Sequence, residues 1–437
     1  MNISKETIRM FVPAPLLAAY HFMKAMLAAV VYRFPSREMI VVGVVGTKGK
    51  SSTANFIWAG LTGVGFPTAL FSTANLRIGA EERLNPYHMT MPSPFVLERF
   101  LREARIKGCV AAIVETTSQG ILQSRHCGIA YDALIFTNLT PEHIEAHGSF
   151  ERYRAAKQVP FRALMREPRK TIDGRSISKC IIANADSPEA ESFLRFSADA
   201  KRTFGIDAPA DVRAEDVRET GRGVEFRVGE RHVCLKTLGR VSVLNALPAL
   251  ALARIFDLDE KKVIDGIESV AMIPGRLEVI AETPFTVIVD YAHEPISLST
   301  ALSVARSRVG PGGHLIAVFG ATGGRDRWKR PAMGACAAQA ADTVIVTNDD
   351  PFSEDPLTIM RAVSEGAVRA GKRLGSDLFE VPDRRAAIRK AFSIAKHGDT
   401  VLIAGKGSEQ ALIMKGRHIA WDDRNVAREE LAACGKL

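Results

Sequence analysis

The stretch MIVVGVVGTKGKSS, residues 39–52, decides the fold. Its first seven residues form a continuous apolar run, the pattern of a parallel strand buried on both faces. A glycine loop follows at 46–49, and a helix is expected from about Ser51 to Gly63. In that order these elements make a phosphate cradle. Backbone N–H groups reach the phosphate oxygens, and the helix presents its positive N-terminal end. Gly46, Thr47, Lys48, Gly49, Lys50, Ser51 and Ser52 are therefore expected to hold a nucleoside triphosphate. Lys50 would reach the β- and γ-phosphates, and the hydroxyl of Ser51 or Ser52 would meet Mg²⁺. The spacing departs by one residue from GxxxxGK[ST], since Gly43 lies six positions before Gly49.

Working outward, buried-strand runs recur at 109–115 (CVAAIVE), 131–138 and 179–185, with helical patterns at 95–107 and 149–166. This alternation predicts a doubly wound α/β sheet. The texture changes over 202–237, where GVEFRVGERHVCLKT reads as a hairpin, and a strong helix is expected at 242–256. A second series of strands is expected at 285–290, 314–320, 342–348, 378–382 and 399–405, separated by helices at 296–309, 329–340, 357–370 and 384–396. The reading is an apolar helical segment at 1–38, a P-loop doubly wound ATPase domain at 39–273, and a smaller Rossmann-like α/β domain at 274–437.

The chain has 437 residues, a formal net charge of +9 and six cysteines without a CxxC pair. That cysteine pattern opposes a disulfide framework or zinc motif and fits a reducing cytoplasm. The positive charge suits an enzyme that binds phosphates and carboxylates. No nucleic-acid-binding motif is present, so no nucleic-acid partner is expected. The apolar stretch 15–34 is interrupted by His21 and Lys24. A bilayer span needs ~20 largely uninterrupted apolar residues, so a helix packed on the next domain is expected, with membrane-surface contact as the alternative.

Two further features stand out. Glu115 ends a buried strand, where ligands gather in open α/β sheets, and an oxygen donor there suits Mg²⁺, with a helix N-cap partner as the equal alternative. Past Gly148, helical spacing puts Phe150, Tyr153 and Lys157 on one face. A lysine on an apolar-facing side is unusual, and a snorkelling or salt-bridged side chain is its ordinary explanation.

The chain resembles the Mur ligase family, in particular its MurE-type branch, from about Met39 to the C-terminus. The stretches that carry the resemblance are GTKGKSS, VETTSQGILQSR, TNLTPEHIEAHGSFERYRAAK, SVLNALPALAL, PGRLE, VDYAHEP, FGATGGRDRWKRP, TNDDPFSEDP and GKGSEQ, in the family's order. The resemblance implies an ATP-dependent amino-acid ligase. The γ-phosphate passes to a substrate carboxylate, an amine attacks the acyl phosphate, and an amide forms. It implies that Lys157 is carbamylated with CO₂, and that His143 and Glu115 hold a second Mg²⁺, with His147 as a neighbour. It assigns Lys50 and Arg276 to charge neutralisation, Asn245 to adenine, and His293 and Asp326 to nucleotide contacts from the C-terminal domain. Domain closure would then precede chemistry.

Three departures from the family pattern matter. Only about 38 residues precede the first strand, so the family's uridine-diphosphate-binding domain is not expected in this chain. Thr117, Gln123 and Arg125 match the positions that hold a muramoyl-L-Ala-D-Glu acceptor, but of an upstream threonine pair only Thr90, beside Met91, is recognised. The amino-acid selection motif DNPR of diaminopimelate-adding enzymes is replaced by Asp349-Asp350-Pro351-Phe352. Phenylalanine cannot grip a distal carboxylate bidentately. Arg325, Gly405 and Glu409 match other positions around the added amino acid. Lysine or another diamine is then as plausible as diaminopimelate. A monomer is expected. The alternatives are a folylpolyglutamate-synthetase-like ligase and a non-catalytic nucleotide-binding subunit.

Overall fold

The computed structural model describes residues 13–142, 144–172, 174–324 and 326–435. His143 and Arg325 lie outside the described residues. Two α/β units follow one another along the chain.

The first unit is built on strands β1 (Ile40–Val45), β2 (Thr68–Phe71), β3 (Asn75–Ile78), β4 (Glu81–Leu84), β5 (Ala111–Thr116) and β6 (Ala133–Phe136), a minor hairpin β7 (Thr171–Ile172) and β8 (Arg175–Ser176), then β9 (Cys180–Asn184), β10 (Ala200–Gly205) and β11 (Val212–Arg213). Nine of them form one sheet in the order β11-β10-β9-β6-β1-β5-β2-β3-β4. It is parallel from β11 to β2 and antiparallel across β3 and β4. Strand β1 lies between β5 and β6, where strand order reverses, so the loops after these three strands open together at the carboxyl edge. Every residue of β1, β5, β6 and β9 is buried, as expected of apolar runs sandwiched between helical layers.

The amino ends of the central strands are pinned by a buried charge cluster. Asp132 takes the Lys170 ammonium at 2.5 Å, the Lys179 ammonium at 2.9 Å and the Val41 amide at 2.9 Å. Burial lowers Lys170 to about 8 despite that carboxylate.

A three-stranded antiparallel sheet, β12 (Glu215–Thr220), β13 (Gly223–Val228) and β14 (Arg231–Leu235), packs on the helices Arg240–Ile255 and Glu260–Glu268. The second unit has β15 (Glu278–Ala281), β16 (Thr286–Asp290), β17 (Leu315–Phe319), β18 (Thr343–Thr347), β19 (Leu378–Val381) and β20 (Thr400–Ala404) in the order β15-β16-β20-β17-β18-β19. A terminal hairpin, β21 (Ala411–Met414) and β22 (Arg417–Ala420), precedes the last helix, Asp423–Ala433. The fold is thus a doubly wound P-loop α/β unit followed by a smaller Rossmann-like one.

The N-terminal helix, Ala14–Val31, buries only Ala25, Ala28 and Ala29, and it packs on the helix Pro94–Ile106. Leu16, Tyr20, Met23, Leu27 and Val30 face outward. It is also long and apolar enough to cross a membrane.

Candidate active site

The loop after β1 is tied down by the residues that follow β6. The Lys48 amide donates to Asn138 Oδ1 at 2.9 Å, and Thr137 Oγ1 donates to the Lys48 carbonyl at 2.7 Å. A methyl group at Gly46 would sit 1.9 Å from Thr137 Oγ1, so only glycine allows this approach. Gly49 caps the helix Lys50–Gly63 with φ 78° and no side-chain cap. The first amides of that helix are therefore left for a ligand. The donor set and this bare helix end fit a triphosphate.

Two cations, Lys50 and Arg276, converge here. The Lys50 ammonium donates to the Thr47 carbonyl at 2.9 Å, and burial holds it below the usual lysine range, opposed by Glu115 and Glu142. Arg276 Nη2 donates to Ser51 Oγ at 3.1 Å, and Ser51 Oγ donates to Glu115 Oε2 at 3.0 Å. The same carboxylate oxygen accepts from the Thr73 amide. Ser51 and Glu115 thus offer adjacent hard oxygen atoms at the strand edge, a donor set that fits Mg²⁺.

Lys157 lies behind the loop, not in the cleft. The residue is 2% exposed, and its ammonium donates to the Gly46 carbonyl at 2.7 Å and stands 4.6 Å from the Tyr153 ring centre. Burial, with the nearby charge of Lys50, drives it well below the ordinary lysine range. A neutral amine is the form that adds CO₂. His147 bonds Ser118 Oγ through Nε2 at 3.1 Å and is shifted down by burial and by Lys157.

The second α/β unit closes over this edge. Lys48 pairs with Glu142 on its own side and with Glu294 opposite, each at 3.1 Å. His293 Nε2 stands 3.5 Å from Glu142, and the Asp326 amide donates to Glu145 at 2.7 Å. The cleft between the units has a volume of about 740 Å³. Thr47 to Ser52, Glu115, Thr90, Thr117, Arg125, Asn245, Arg276, His293 and Asp326 all line it. Asn245 accepts from Thr53 at 3.3 Å, next to Gly49.

The acceptor end carries a pairing that sequence reasoning misses. Thr73 and Thr90 hydroxyls meet at 2.7 Å. A second threonine is present, but it follows β2 and is 17 residues away in the chain. Thr117 caps the helix Ser118–Leu122, while Arg125 is held by the Met91 carbonyl and Gln123 Oε1. Gln123 positions Arg125 and is not itself among the cleft-lining residues.

Asp349, Asp350, Gly405 and Glu409 gather elsewhere, around Lys406. That ammonium is 2.9 Å from Asp350, 2.5 Å from Glu409 and 3.9 Å from Asp349. Burial alone would lower Lys406, but the three carboxylates raise it above the usual lysine range. Asp350 is raised by burial and by Asp349. Tyr291 links this cluster to the cleft: its hydroxyl donates to Glu409 at 3.0 Å while Arg276 lies 4.2 Å over its ring. Phe352 has φ 53° and bridges to the terminal hairpin through the Ile413 carbonyl and the Lys415 amide. Lys406, Glu142 and Glu294 carry much of this organisation, and spacing alone does not single them out; Lys48 is expected from the loop, but its pairing with Glu294 is not.

Comparison with known proteins agrees with this geometry. Residues 44–253 match the Mur ligase middle domain, and residues 275–407 match the Mur ligase glutamate ligase domain. The chain is 38% identical over 435 residues to the UDP-N-acetylmuramyl-tripeptide synthetase of Roseiflexus sp. (strain RS-1), covering 97% of this chain and 85% of that protein. It is 33% identical over 434 residues to the UDP-N-acetylmuramoyl-L-alanyl-D-glutamate–2,6-diaminopimelate ligase of Halalkalibacterium halodurans, covering 98% and 86%. A match of 97% leaves too few residues outside it to exclude the helix Ala14–Val31, so the likeness extends upstream of Met39. A solved 2,6-diaminopimelate ligase superposes with a TM-score of 0.60 at 28% identity, covering 91% of this chain and 79% of that one. Mycobacterium tuberculosis folylpolyglutamate synthase complexed with ADP superposes with a TM-score of 0.69 at 18% identity, over 88% and 91%, a likeness of fold alone. With both domain matches in order and a MurE-type relative 38% identical over 97% of the residues here, this chain belongs to the Mur ligase family.

Proposed function

We propose that this chain is an ATP-dependent ligase that joins an amino acid to the D-Glu carboxylate of a muramoyl-L-Ala-D-Glu acceptor. The observation that carries the reading is the single cleft that runs from the bare helix end at Lys50 to Thr73, Thr90, Thr117 and Arg125, closed by Arg276, His293 and Asp326 from the second unit. ATP phosphates would rest on the loop amides, with Asn245 near the adenine. Lys50 and Arg276 would spread the charge that develops as phosphate moves to the acceptor carboxylate. Arg125 and the threonine pair would hold the acceptor, so that its carboxylate and the phosphate meet without further search. The incoming amine would displace phosphate from the acyl phosphate to give the amide, ADP and phosphate.

Mg²⁺ bound through Ser51 and Glu115 would supply further charge neutralisation, with His143 and a carbamylated Lys157 completing the second metal's surroundings. What supports this reading is the Lys157 amine, buried against the Gly46 carbonyl and held well below the ordinary lysine range, which suits carbamylation. The acidic trio around Lys406 carries three carboxylates against one ammonium. With Phe352 in place of a carboxylate-gripping arginine, this buried acidic cluster suits a diamino acid with a free distal amine, lysine or a close analogue, better than diaminopimelate. Such chemistry and six free thiols suit the cytoplasm.

Phosphate release with ATP, Mg²⁺ and UDP-muramoyl-L-Ala-D-Glu would be measured against lysine, ornithine, diaminopimelate and other amino acids, with product masses read. Turnover with a diamino acid is expected. Turnover only with a folate acceptor and glutamate would overturn the acceptor assignment.

A further inference from the structure

The small antiparallel sheet carries a cluster of side chains with metal-ligand chemistry, none of which lines the cleft. Strands β13 and β14 alternate cleanly: Val224, Phe226, Val228, Val233 and Leu235 are buried, which turns Glu225, His232 and Cys234 to the opposite, solvent-facing side. Glu225 stands directly across from Cys234 in the strand register, and His232 is two residues along on the same face. Cys234 Sγ is 3.4 Å from His232 Nδ1, and His232 Nε2 is 3.8 Å from Glu225 Oε2. Ligand atoms of all three lie within 4.8 Å of one another.

From these residues we propose that Glu225, His232 and Cys234 form a binding site for a thiophilic divalent cation of the zinc class. Zinc at ~2.3 Å from sulfur and ~2.0 Å from nitrogen sets those atoms about 3.5 Å apart across a tetrahedral angle, close to the 3.4 Å present here. Soft sulfur, imidazole and one carboxylate select zinc over Mg²⁺, which prefers all-oxygen sites. The local field is favourable too. Glu268, at the end of the helix Glu260–Glu268, accepts the Cys234 amide at 2.7 Å and, with Glu225, surrounds the thiol with negative charge. Nearby arginines are drawn elsewhere: Arg227 to Asp216 at 2.7 Å and Arg231 to Glu260 at 3.6 Å. Arg218, across from Glu225 on β12, is the competing cation. On binding, the Cys234 thiol loses its proton to solvent and the thiolate bonds the metal, so no oxidant or other reactant is needed. The ion would clamp β13 to β14.

The test is a Co²⁺ titration of the full chain under reducing conditions with excess Mg²⁺, followed by absorption spectroscopy. Tetrahedral visible bands and a sulfur-to-cobalt band are expected, and Zn²⁺ should displace both. Cys234→Ser should abolish the sulfur band while leaving the metal-free thermal midpoint and ligase turnover unchanged. His232→Gln and Glu225→Gln should each weaken binding at least about tenfold. Arg218→Gln should tighten it. Absence of a sulfur band, or a band that survives in Cys234→Ser, would overturn the site.

Discussion

The ammonium of Lys48 joins the two α/β units, and its removal gives the most direct measure of how closure is held. It is 3.1 Å from Glu142 and 3.1 Å from Glu294, with side-chain exposures of 23%, 10% and 5%. At 3.1 Å a unit charge pair gains about 5 kcal/mol gross at an effective dielectric constant of 20. Desolvation and side-chain ordering cancel most of this, which leaves a coupling of about 1–2 kcal/mol for a partly buried pair. The substitutions must spare a second duty. Glu294 also caps the helix Pro295–Ser307, accepting from the Ser297 amide at 2.6 Å and the Ile296 amide at 3.1 Å. Glu294→Gln keeps an oxygen for that cap, and Lys48→Met keeps the apolar stem. ATP affinity would be measured by equilibrium titration for the wild type, both single variants and the double variant. Each single variant should weaken ATP binding about 5- to 30-fold, and the double variant should be little worse than either. Small-angle scattering of Lys48→Met should show a larger radius of gyration. Strictly additive single effects, or tighter ATP binding in Lys48→Met, would refute a closing role.

Four further expectations concern chemistry and stability. Lys157→Ala should lose turnover, with partial rescue by bicarbonate or short carboxylic acids; rescue by amines instead would oppose a carbamate. Phe352→Arg should raise the use of diaminopimelate relative to lysine in a competition assay with mass detection, and an unchanged ratio would place selection elsewhere. Asp132→Asn leaves Lys170 and Lys179 facing each other without their buried carboxylate, and should cost about 3–5 kcal/mol in chemical denaturation. Glu98 is buried, neither carboxylate oxygen has a hydrogen-bond partner among the described residues, and burial raises it to about 7. The folded state therefore binds its proton more tightly than the unfolded chain. Stability should fall as pH rises from about 4.5 to 7 and stay lowered above that, by about 3 kcal/mol for this group. Glu98→Gln should flatten that part of the profile of thermal midpoint against pH.

The parallel strands were legible because burial on both faces writes itself as an unbroken apolar run, as in IVVGVV and ALIF. Strands β2, β3 and β4 leave a weaker trace: each has four residues, and β4 is EERL, an exposed edge. The phosphate loop was legible because its function depends on local order. Contacts between distant residues were not. Thr73 finds Thr90 only because β2 and the loop after β4 turn back on each other, and Lys48 finds Glu294 across 246 positions that no spacing rule spans. Lys406 stood in a recognised stretch, yet its importance comes from the three carboxylates that the second sheet brings around it.

The junction between the units has a mechanical consequence. Ile273 belongs to the core of the first unit, whereas Leu277 packs against that of the second. Gly275 is nested in the second unit: an added methyl group would lie 2.1 Å from the Ser408 amide nitrogen. Its own amide is held by Glu278 at 2.8 Å, and the Leu277 amide by Asp290 at 2.8 Å. Were the units to part, the bonds just before Gly275 would have to turn and the Arg276 amide would leave the Ile273 carbonyl, 3.0 Å away. Such opening would draw the guanidinium off Ser51 and dismantle the charge arrangement beside Glu115. A chain caught open would be chemically silent, and its ATP would be spared from idle hydrolysis.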